Sequence, residues 1–522
     1  MLFSIVTAAI CCLFGYCLIR LRYIRFTQYA HLPGPTPSLL WGHLHLVAKL
    51  ILRDSSRHFI PITVLLDLRP IHSPVAVIYS HTLAEQISKA TAQFPYSVPK
   101  SPIKEILGPV AGYTSFLMTN DAPWKHTRKA FNPAFAPGHI VGFVPQILEK
   151  VNIFLGYLDG YVQSGEAFSL ERRCTLLTFD VIGRTTLNID VNAQGSDSDQ
   201  HDVVRSFREL IANMPALPQL EWLLRPRKYR RRMELTRTIE TSLQAIIRDK
   251  YNALQSEKMS KATDRSVLSL GLEDIDDLTP QAMQEHIDSI RTFLLAGHDT
   301  TSVLLQWAIY ELSRTPRALA KLRAELDESF GLDPTRTADV IAANPEKLNQ
   351  LAYLTAVLKE TLRLYPPAGT SRLPPLGSNF TLETPQGPLG VDGITLFINH
   401  FSIQRDRAVF GPSADAWVPE RWLEGKGESA IPASAWRPFE RGPRNCIGQE
   451  LAMLEAKLVL AMVARRYEFT KVGVGAVNGN KQEVDEYGQF VSDEPLYNMF
   501  NVSAKPVDGT RMTVRFYESG RA

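Results

Sequence analysis

The chain has few cysteines and little net charge for its size. Its 522 residues include five cysteines, and three of these, Cys11, Cys12 and Cys17, lie in one apolar N-terminal run. The other two, Cys174 and Cys446, cannot form the framework of a disulfide-stabilised secreted fold, and isolated cysteines fit a reducing compartment. A net charge of +3 lacks the strongly basic face of nucleic-acid-binding proteins, so nucleic acid is excluded as a partner.

Other common features are also missing. There is no internal repeat, no long low-complexity tract, and no G-x-G-x-x-G fingerprint that opens a strand-helix unit. The chain therefore has no nicotinamide site of its own, and we find no further domain for a flavin. The composition, 45% hydrophobic and 21% charged, is that of a globular protein and excludes a disordered or fibrous one.

The N-terminal segment is long and apolar enough to cross a membrane. From Leu2 to Ile19 there is no charged residue, and 18 helical residues reach about 27 Å, close to the bilayer's hydrocarbon thickness. Arg20, Arg22 and Arg25 follow directly. These charges favour a signal anchor over the alternative, a cleaved secretory leader, and should stay cytosolic. We predict a transmembrane signal anchor at residues 1–25, with Met1 lumenal and the remaining chain cytosolic.

The pattern of residues in the rest of the chain predicts a mainly α fold with small β-sheets. Residues 26–40 contain Leu32-Pro33-Gly34-Pro35 and Pro37, a stiff stretch that cannot continue a helix, and are interpreted as a proline-rich linker. Three helices and two short strands are the clearest elements that follow. The predicted helices are Thr279-Pro280 to about Leu312, Pro316 to Gly331, and Leu351 to Leu362 before Pro366-Pro367; the strands are Ile394–Ile398 and Met512–Tyr517.

The strongest motif surrounds Cys446. Residues 439–448 read Phe-Glu-Arg-Gly-Pro-Arg-Asn-Cys-Ile-Gly and fit F-x-x-G-x-R-x-C-x-G at all five fixed positions. A helix-forming run follows, and free N–H groups with the helix dipole favour a thiolate at such a place. Gly442 and Gly448 would allow a flat macrocycle to approach the backbone, and Arg444 could bind its propionate. The pattern therefore indicates a haem-ligating thiolate rather than an inert buried cysteine.

At these residues the chain resembles the cytochrome P-450 superfamily, and the likeness extends from Trp124 to the C-terminus. The resemblance implies the cytochrome P-450 fold, preceded here by an N-terminal transmembrane helix. It also implies heme b, with the axial thiolate supplied by Cys446. Because motifs from Trp124 to Gly448 would have to meet at one haem, residues 41–522 are expected to form a single haem-thiolate catalytic domain.

Further residues match family motifs. Residues 296–301, Ala-Gly-His-Asp-Thr-Thr, resemble the oxygen-activation motif, in which Asp299 and Thr300 would be catalytic and supply protons. A threonine hydroxyl there can also bond the carbonyl one turn back and open a local groove in the helix. Glu360 and Arg363 match E-x-x-R, and Arg421 resembles the third member of that structural charge cluster. The resemblance implies cofactor contacts from Trp124, Arg128, Arg372, Phe439, Arg444 and Gly448, with Cys446 as the metal ligand.

Taken together, these residues predict a membrane-anchored monooxygenase that inserts one oxygen atom from O2 into a lipophilic substrate. Its electrons would come from a separate NADPH-cytochrome reductase, and its place would be the endoplasmic reticulum membrane. The reductase would dock on a basic surface formed by Lys125, Lys129, Arg437 and Arg441. The motifs resemble those of fungal microsomal members of the family that oxidise secondary metabolites. A polyketide or terpenoid intermediate is therefore the expected substrate.

Three alternatives stay open at this point. The first is a fatty-acid or alkane hydroxylase, because many enzymes with similar motifs act on such chains. The second is a reductase-independent haem-thiolate isomerase or dehydratase, against which the Asp299-Thr300 pair argues. The third is a haem-binding sensor or carrier without turnover.

Overall fold

Helices dominate the structure, as the sequence predicts. The computed structural model describes residues 2–32, 34–44, 63–69, 73–214, 221–257, 264–423, 431–477, 483–500 and 502–518. Pro33, in the predicted linker, lies outside these residues. The helices are α1 Leu2–Phe26, α2 His81–Ser88, α3 Lys104–Ala111, α4 Asp121–Phe131, α5 Pro137–Ile140, α6 Val144–Ser164, α7 Leu170–Leu187, α8 Asp202–Ala212, α9 Glu221–Leu224, α10 Pro226–Glu257, α11 Val267–Leu272, α12 Pro280–Arg314, α13 Pro316–Phe330, α14 Thr337–Ala343, α15 Ala352–Leu364, α16 His400–Ile403, α17 Arg407–Phe410 and α18 Gln449–Arg466.

The strands are short and form small sheets. One sheet has the order β1-β2-β7-β4, with β2 and β7 parallel and the other neighbours antiparallel; a second has the order β3-β11-β8. Two antiparallel pairs, β5-β6 and β9-β10, complete the set. The strands are β1 Thr63–Leu66, β2 Val75–Ile78, β3 Phe168–Ser169, β4 Thr370–Arg372, β5 Thr381–Thr384, β6 Gly387–Gly390, β7 Thr395–Ile398, β8 Tyr467–Lys471, β9 Asn498–Phe500, β10 Ala504–Pro506 and β11 Arg511–Phe516.

The chain divides into two compact units, and each is built from three separate segments. Unit 1 consists of Met1–Ser101, Gly369–Gln404 and Ala433–Asn445. Unit 2 consists of Pro102–Ala368, Arg405–Pro432 and Cys446–Ala522. Unit 1 therefore contains α1 and the four-stranded sheet, whereas unit 2 contains most of the helices.

Unit 1 has its own hydrophobic core between the four-stranded sheet and α2. Ala76, Ile78, Leu396 and Ile398 of the sheet are fully buried there. Leu32, from the segment that the sequence interprets as a linker, packs into the same core. The helix before it, α1, extends to Phe26, seven residues beyond the uncharged run.

The long helix α12 runs through unit 2 and confirms the prediction for its start. Thr279 caps it by accepting a hydrogen bond from the amide of Ala282, and Pro280 is the first helical residue. Its 35 residues span about 52 Å. Almost all of its central residues are buried, so the helix forms the axis of the unit's core.

The other two predicted helices are also confirmed. Helix α13 begins at Pro316 and ends at Phe330, where Gly331 takes a φ of +81°. Helix α15 ends at Leu364, immediately before Tyr365 and the two prolines. The predicted strands correspond to β7 and β11, with ends that differ by a residue.

Helix α15 carries the E-x-x-R pair, and the structure confirms its predicted third member. Glu360 accepts two bonds of 2.8 Å from Arg363 and one of 2.9 Å from Arg421. The amide of Val418 and the indole of Trp422 each donate a further bond of 2.8 Å. Glu360 and Arg363 are both fully buried, and their cluster holds the segment 413–422 against α15.

Candidate active site

Cys446 lies at the start of α18, as its sequence context predicts. The helix begins at Gln449 with Gly448 as its N-cap, so Cys446 is two residues before the cap. Cys446 is exposed, and none of the five cysteines is in a disulfide within the described residues. Its thiol is therefore accessible at a helix N-terminus, where backbone N–H groups and the helix dipole favour an anion.

A short stretch of α12 is exposed to solvent although the helical residues on either side of it are buried. From His286 to Leu312 every residue is buried except Ala296, Gly297 and Thr300. Ala296 and Thr300 are one turn apart on the same face, and the Thr300 hydroxyl donates a 2.7 Å bond to the Ala296 carbonyl. This confirms the predicted hydrogen bond from the threonine to the carbonyl one turn back. A hydroxyl and a small side chain therefore lie next to each other on this face of the helix.

Asp299 lies next to this open face but is itself 1% exposed. Its Oδ1 is 2.5 Å from the Lys505 Nζ, and its Oδ2 accepts a 2.5 Å bond from the Ser503 hydroxyl. Burial raises the pKa of Asp299, but His298 and Lys505 outweigh this and hold the pKa below its ordinary value. Asp299 is therefore an ionised carboxylate in an ion pair.

Lys505 connects Asp299 to the surface of unit 2. Its ammonium also lies 3.4 Å from a carboxylate oxygen of Glu171, whose side chain is 31% exposed. Burial lowers the pKa of Lys505, yet Asp299 and Glu171 together raise it above its ordinary value. Asp299, Lys505 and Glu171 thus form a continuous chain of charged groups from a buried position outwards.

The W-x-x-x-R pair lies on α4. Trp124 is 5% exposed, and Arg128, one turn later, donates a 2.9 Å bond to Asn132. Burial lowers the pKa of Arg128 and the charge of Cys446 raises it, which means that the guanidinium and the sulfur are close enough to interact. The structure therefore brings together two residues that the sequence separates widely.

Unit 1 contains an unusual arginine. Arg372, at the end of β4, is fully buried, and none of its three guanidinium nitrogens has a hydrogen-bond partner among the described residues. The nearby Glu440 already accepts bonds from Arg437, Ser88 and His400. Burial lowers the pKa of Arg372 to about 10, although Glu440 acts in the opposite direction. A buried cation of this kind requires an anion.

Comparison with known proteins agrees with this chemistry. The family model for cytochrome P450 matches residues 32–483. The chain belongs to the cytochrome P450 family. It is 32% identical to cytochrome P450 monooxygenase acrF of Aspergillus aculeatus over 474 residues, 86% of this chain and 93% of that protein.

Two further relatives are similar over most of their length. Cytochrome P450 monooxygenase polC of Polytolypa hystricis is 30% identical over 85% of this chain and 83% of its own. Cytokinin hydroxylase of Arabidopsis thaliana is 27% identical over 88% of this chain and 89% of its own. This P450 is thus a member of the monooxygenase family with haem as its cofactor, whose iron is bound by a cysteine thiolate.

The residues of this P450 fit haem. The macrocycle has anionic propionates at its edge, and Arg372 is a buried cation whose nitrogens lack partners in the described part of the chain. The iron needs a thiolate, and Cys446 is exposed at a helix start. At Gly448 a Cβ would meet only Phe135, at 3.9 Å, so the backbone there allows close approach. Arg444 is 7% exposed, and Phe439 is partly buried beside Trp436.

Two glycines lie where other parts of the protein approach closely, and for Gly442 this differs from the predicted approach of a macrocycle. At Gly442, where φ is +75°, a Cβ would overlap the Ser88 carbonyl, so the close approach is to backbone of unit 1. At Gly297 a Cβ would lie 2.6 Å from Ile182 of α7. The absence of a side chain at Gly297 thus lets the two helices pack closely.

Two side chains of the predicted motifs and surfaces are buried. His298, beside Asp299, is 2% exposed and packs against Phe179, with 4.8 Å between the ring centroids. Arg437, expected on a basic docking surface, is 1% exposed because it is held by Glu440 and Ser88. Arg441 pairs with Glu85 at 2.9 Å. Lys125 and Lys129 remain exposed on α4.

Lys505 and Ser503 were not found from the sequence. Ser503 is 204 residues from Asp299, and neither Ser503 nor Lys505 belongs to a motif of the haem site. A lysine in a strand of three residues gives no periodic or spacing signal, so only the tertiary structure identifies it as the partner of Asp299.

Proposed function

We propose that this P450 is a membrane-anchored monooxygenase that uses Cys446 as the thiolate ligand of haem iron. The proposal is supported by the exposed position of Cys446 before α18 and by its interaction with Arg128. Trp124, Arg128, Arg372 and Arg444 would bind the propionates, and Phe439 and Gly448 would border the macrocycle. Bound haem supplies oxygen binding and its activation with two electrons and two protons.

The observation that carries the proposal is the open face at Thr300 beside the charged chain that ends at Asp299. Oxygen activation consumes protons, and a positioned side chain can supply them as a general acid. Thr300 would present its hydroxyl proton, and Asp299 would restore it with protons that reach Lys505 from the surface. An isomerase that rearranges a peroxide needs no such delivery, so the arrangement favours a monooxygenase.

The electrons would come from a separate NADPH-cytochrome reductase. The exposed Lys125 and Lys129 on α4 offer positive charge for an acidic partner, whereas Arg437 and Arg441 are engaged within unit 1. Charge reversal at both lysines should slow reduction of the iron at low salt. An unchanged reduction rate would reject this docking surface, while leaving the haem assignment intact.

The helix α1 would anchor the enzyme in the endoplasmic reticulum membrane, with the catalytic part in the cytosol. The window Ile5–Phe26 is apolar and long enough to cross a bilayer, and every residue from Ile5 to Ile24 is at least partly exposed. Arg20 and Arg22 are exposed after the uncharged run and would remain on the cytosolic side.

The substrate would be lipophilic, and a fungal polyketide or terpenoid intermediate is the class we propose. The substrate class follows from the resemblance of the motifs, and the similarity to monooxygenases of two fungi, Aspergillus aculeatus and Polytolypa hystricis, supports only the fungal part of the proposal. Fatty-acid or alkane hydroxylation is the alternative outcome of a substrate panel.

The proposal is tested with purified full-length protein. Carbon monoxide added to the reduced protein should give the red-shifted Soret band of thiolate ligation, and Cys446→Ser should abolish it. Product formation should require NADPH, reductase and O2 together. Turnover without them would indicate an isomerase or dehydratase, and the band without any turnover on the panel would indicate a sensor or carrier.

A further inference from the structure

A short loop of unit 1 exposes three consecutive apolar side chains. Leu39, Leu40 and Trp41 are 38%, 61% and 60% exposed. They form the tip of a turn closed by two backbone bonds between Ser38 and Gly42, of 2.8 and 2.9 Å. Clustered apolar side chains that are held in place but excluded from the core are typical of an interaction surface.

This loop, residues 38–42, is attached to the end of α1 by Arg25. The Arg25 guanidinium donates to the carbonyls of Leu39, at 3.2 Å, and Leu40, at 2.9 Å. It also forms a 2.7 Å ion pair with Asp67, and its side chain is only 1% exposed. A Cβ at Gly42 would collide with this guanidinium, so glycine is required where the loop meets the arginine.

Asp67 makes the attachment rigid. It accepts bonds of 2.8 Å from Arg69, and its own amide donates to the buried ring of His43. Burial raises the pKa of Asp67, but the bonds from Arg69 and Arg25 outweigh this and hold it below its ordinary value. The Asp67 carboxylate therefore stays ionised at neutral pH, and the helix, the loop and the start of the body share one set of contacts.

The position of Arg25 along α1 places the loop near a membrane surface. Arg25 is six residues beyond Ile19, or about 9 Å along the helix axis, and each headgroup layer is about 5–8 Å thick. Tyr23 and Phe26, 46% and 42% exposed, lie at the same level of α1. Tryptophan and tyrosine concentrate at this depth of a bilayer.

We propose that Arg25 fixes the loop 38–42 to the end of the membrane helix so that Leu40 and Trp41 enter the headgroup region of the same leaflet. The occupant of the apolar tip is thus the lipid surface that α1 leaves. This inference rests on the proposed membrane anchoring by α1. In the sequence, Arg25 is one of the three charges predicted to orient the anchor. In the structure it has a second role, as a clamp that fixes how the rest of the protein contacts the membrane.

The test uses full-length protein in phosphatidylcholine nanodiscs. Trp41 fluorescence, taken as the difference between the wild type and Trp41→Phe, should be quenched by lipids brominated near the headgroup. The matched control is Leu332→Trp in the Trp41→Phe background, because Leu332 is 87% exposed and belongs to unit 2, whereas the clamp consists of residues of unit 1. We expect at least about twofold more quenching for a tryptophan at 41 than for one at 332, since only the former lies in the interface.

The clamp is tested with Arg25→Ala and Asp67→Ala. Both variants should still associate with nanodiscs, keep their far-ultraviolet circular dichroism, and lose most of the Trp41 quenching. Equal quenching at 41 and 332, or unchanged quenching in both clamp variants, overturns the inference. If the wild type fails to associate with nanodiscs or to float with vesicles, the anchoring proposal itself fails. Association without Trp41 quenching rejects only the role of the loop.

Discussion

Glu360 of unit 2 and Arg372 of unit 1 are both fully buried charges, yet their surroundings are opposite. Glu360 accepts five bonds, from Arg363, Arg421, Val418 and Trp422. Arg372 has three guanidinium nitrogens without a partner in the described chain. Removing a charge from water is costly unless other groups compensate it. A complete set of partners therefore indicates a structural charge, and an incomplete set indicates a charge whose partner is a ligand.

The largest expected effect comes from breaking the complete cluster. Glu360→Ala should leave Arg363 as an uncompensated buried cation and lower the free energy of unfolding by about 3–5 kcal/mol. Urea unfolding followed by circular dichroism measures this. Asp202→Asn is the control, because the Arg205–Asp202 pair is exposed and such pairs contribute at most about 1 kcal/mol. A similar loss of unfolding free energy in Glu360→Ala and Asp202→Asn would contradict the distinction between a buried charge cluster and an exposed ion pair.

Substitution of Asp299 tests whether a charge that is paired in the fold can also take part in catalysis. Asp299→Asn should lower turnover by about 100-fold, since general acid catalysis contributes about 10²–10⁴-fold, and it should increase the solvent isotope effect. Lys505→Arg, which keeps the positive charge, should retain most of the turnover, whereas Lys505→Met should not. Normal turnover and an unchanged isotope effect in Asp299→Asn would mean that the pair is structural, like Glu360.

Arg372 should respond in the opposite way to Glu360. Arg372→Met should leave the stability of the haem-free protein unchanged or raise it, because an uncompensated buried cation is removed. Haem release should become about 10- to 100-fold faster, since bonds to charged groups contribute about 1.5–3 kcal/mol. Transfer of haem to apomyoglobin measures the rate. A destabilised haem-free protein with unchanged haem release would show that Arg372 is a structural charge after all.

The smallest effect concerns Glu420, a partnered carboxylate near the surface of unit 2. Burial raises the pKa of Glu420, but bonds from Arg317 and Lys321 outweigh this and lower it from 4.5 to about 2. Its contribution to stability is therefore complete above pH 4.5 and is lost as the pH falls towards 2. The unfolding free energies of the wild type and Glu420→Gln should converge over this range. A difference in unfolding free energy that stays constant over this pH range would contradict the lowered pKa of Glu420.

Local sequence signals predicted the elements that carry the site. The N-cap at Thr279, the Thr300–Ala296 bond and the i, i+3 pair of Glu360 and Arg363 each depend on residues within one or two turns. Arg421 could be added because it belongs to a recognisable motif. The assignments of haem contacts to Trp124, Arg372, Phe439 and Arg444 remain predictions.

Long-range partners were beyond prediction. The burial of His298, the pairing of Asp299 with Lys505, and the neutralisation of Arg25 by Asp67 depend on which distant segments pack together. Gly442 is a similar case, because the backbone that it must avoid, at Ser88, comes from a distant part of the sequence.

The sequence by itself determined that this protein has a cysteine at the start of a helix, a mainly helical body and an apolar N-terminal helix, because each follows from the order of neighbouring residues. Only the tertiary structure decided which charges are satisfied. Glu360 is compensated by Arg363 of its own helix and by Arg421 of another segment, and Asp299 and Arg25 are compensated by residues from other segments. The Arg372 nitrogens have no such partners among the described residues. Burial removes water as an alternative partner, so the role of each charge depends on what the fold places beside it.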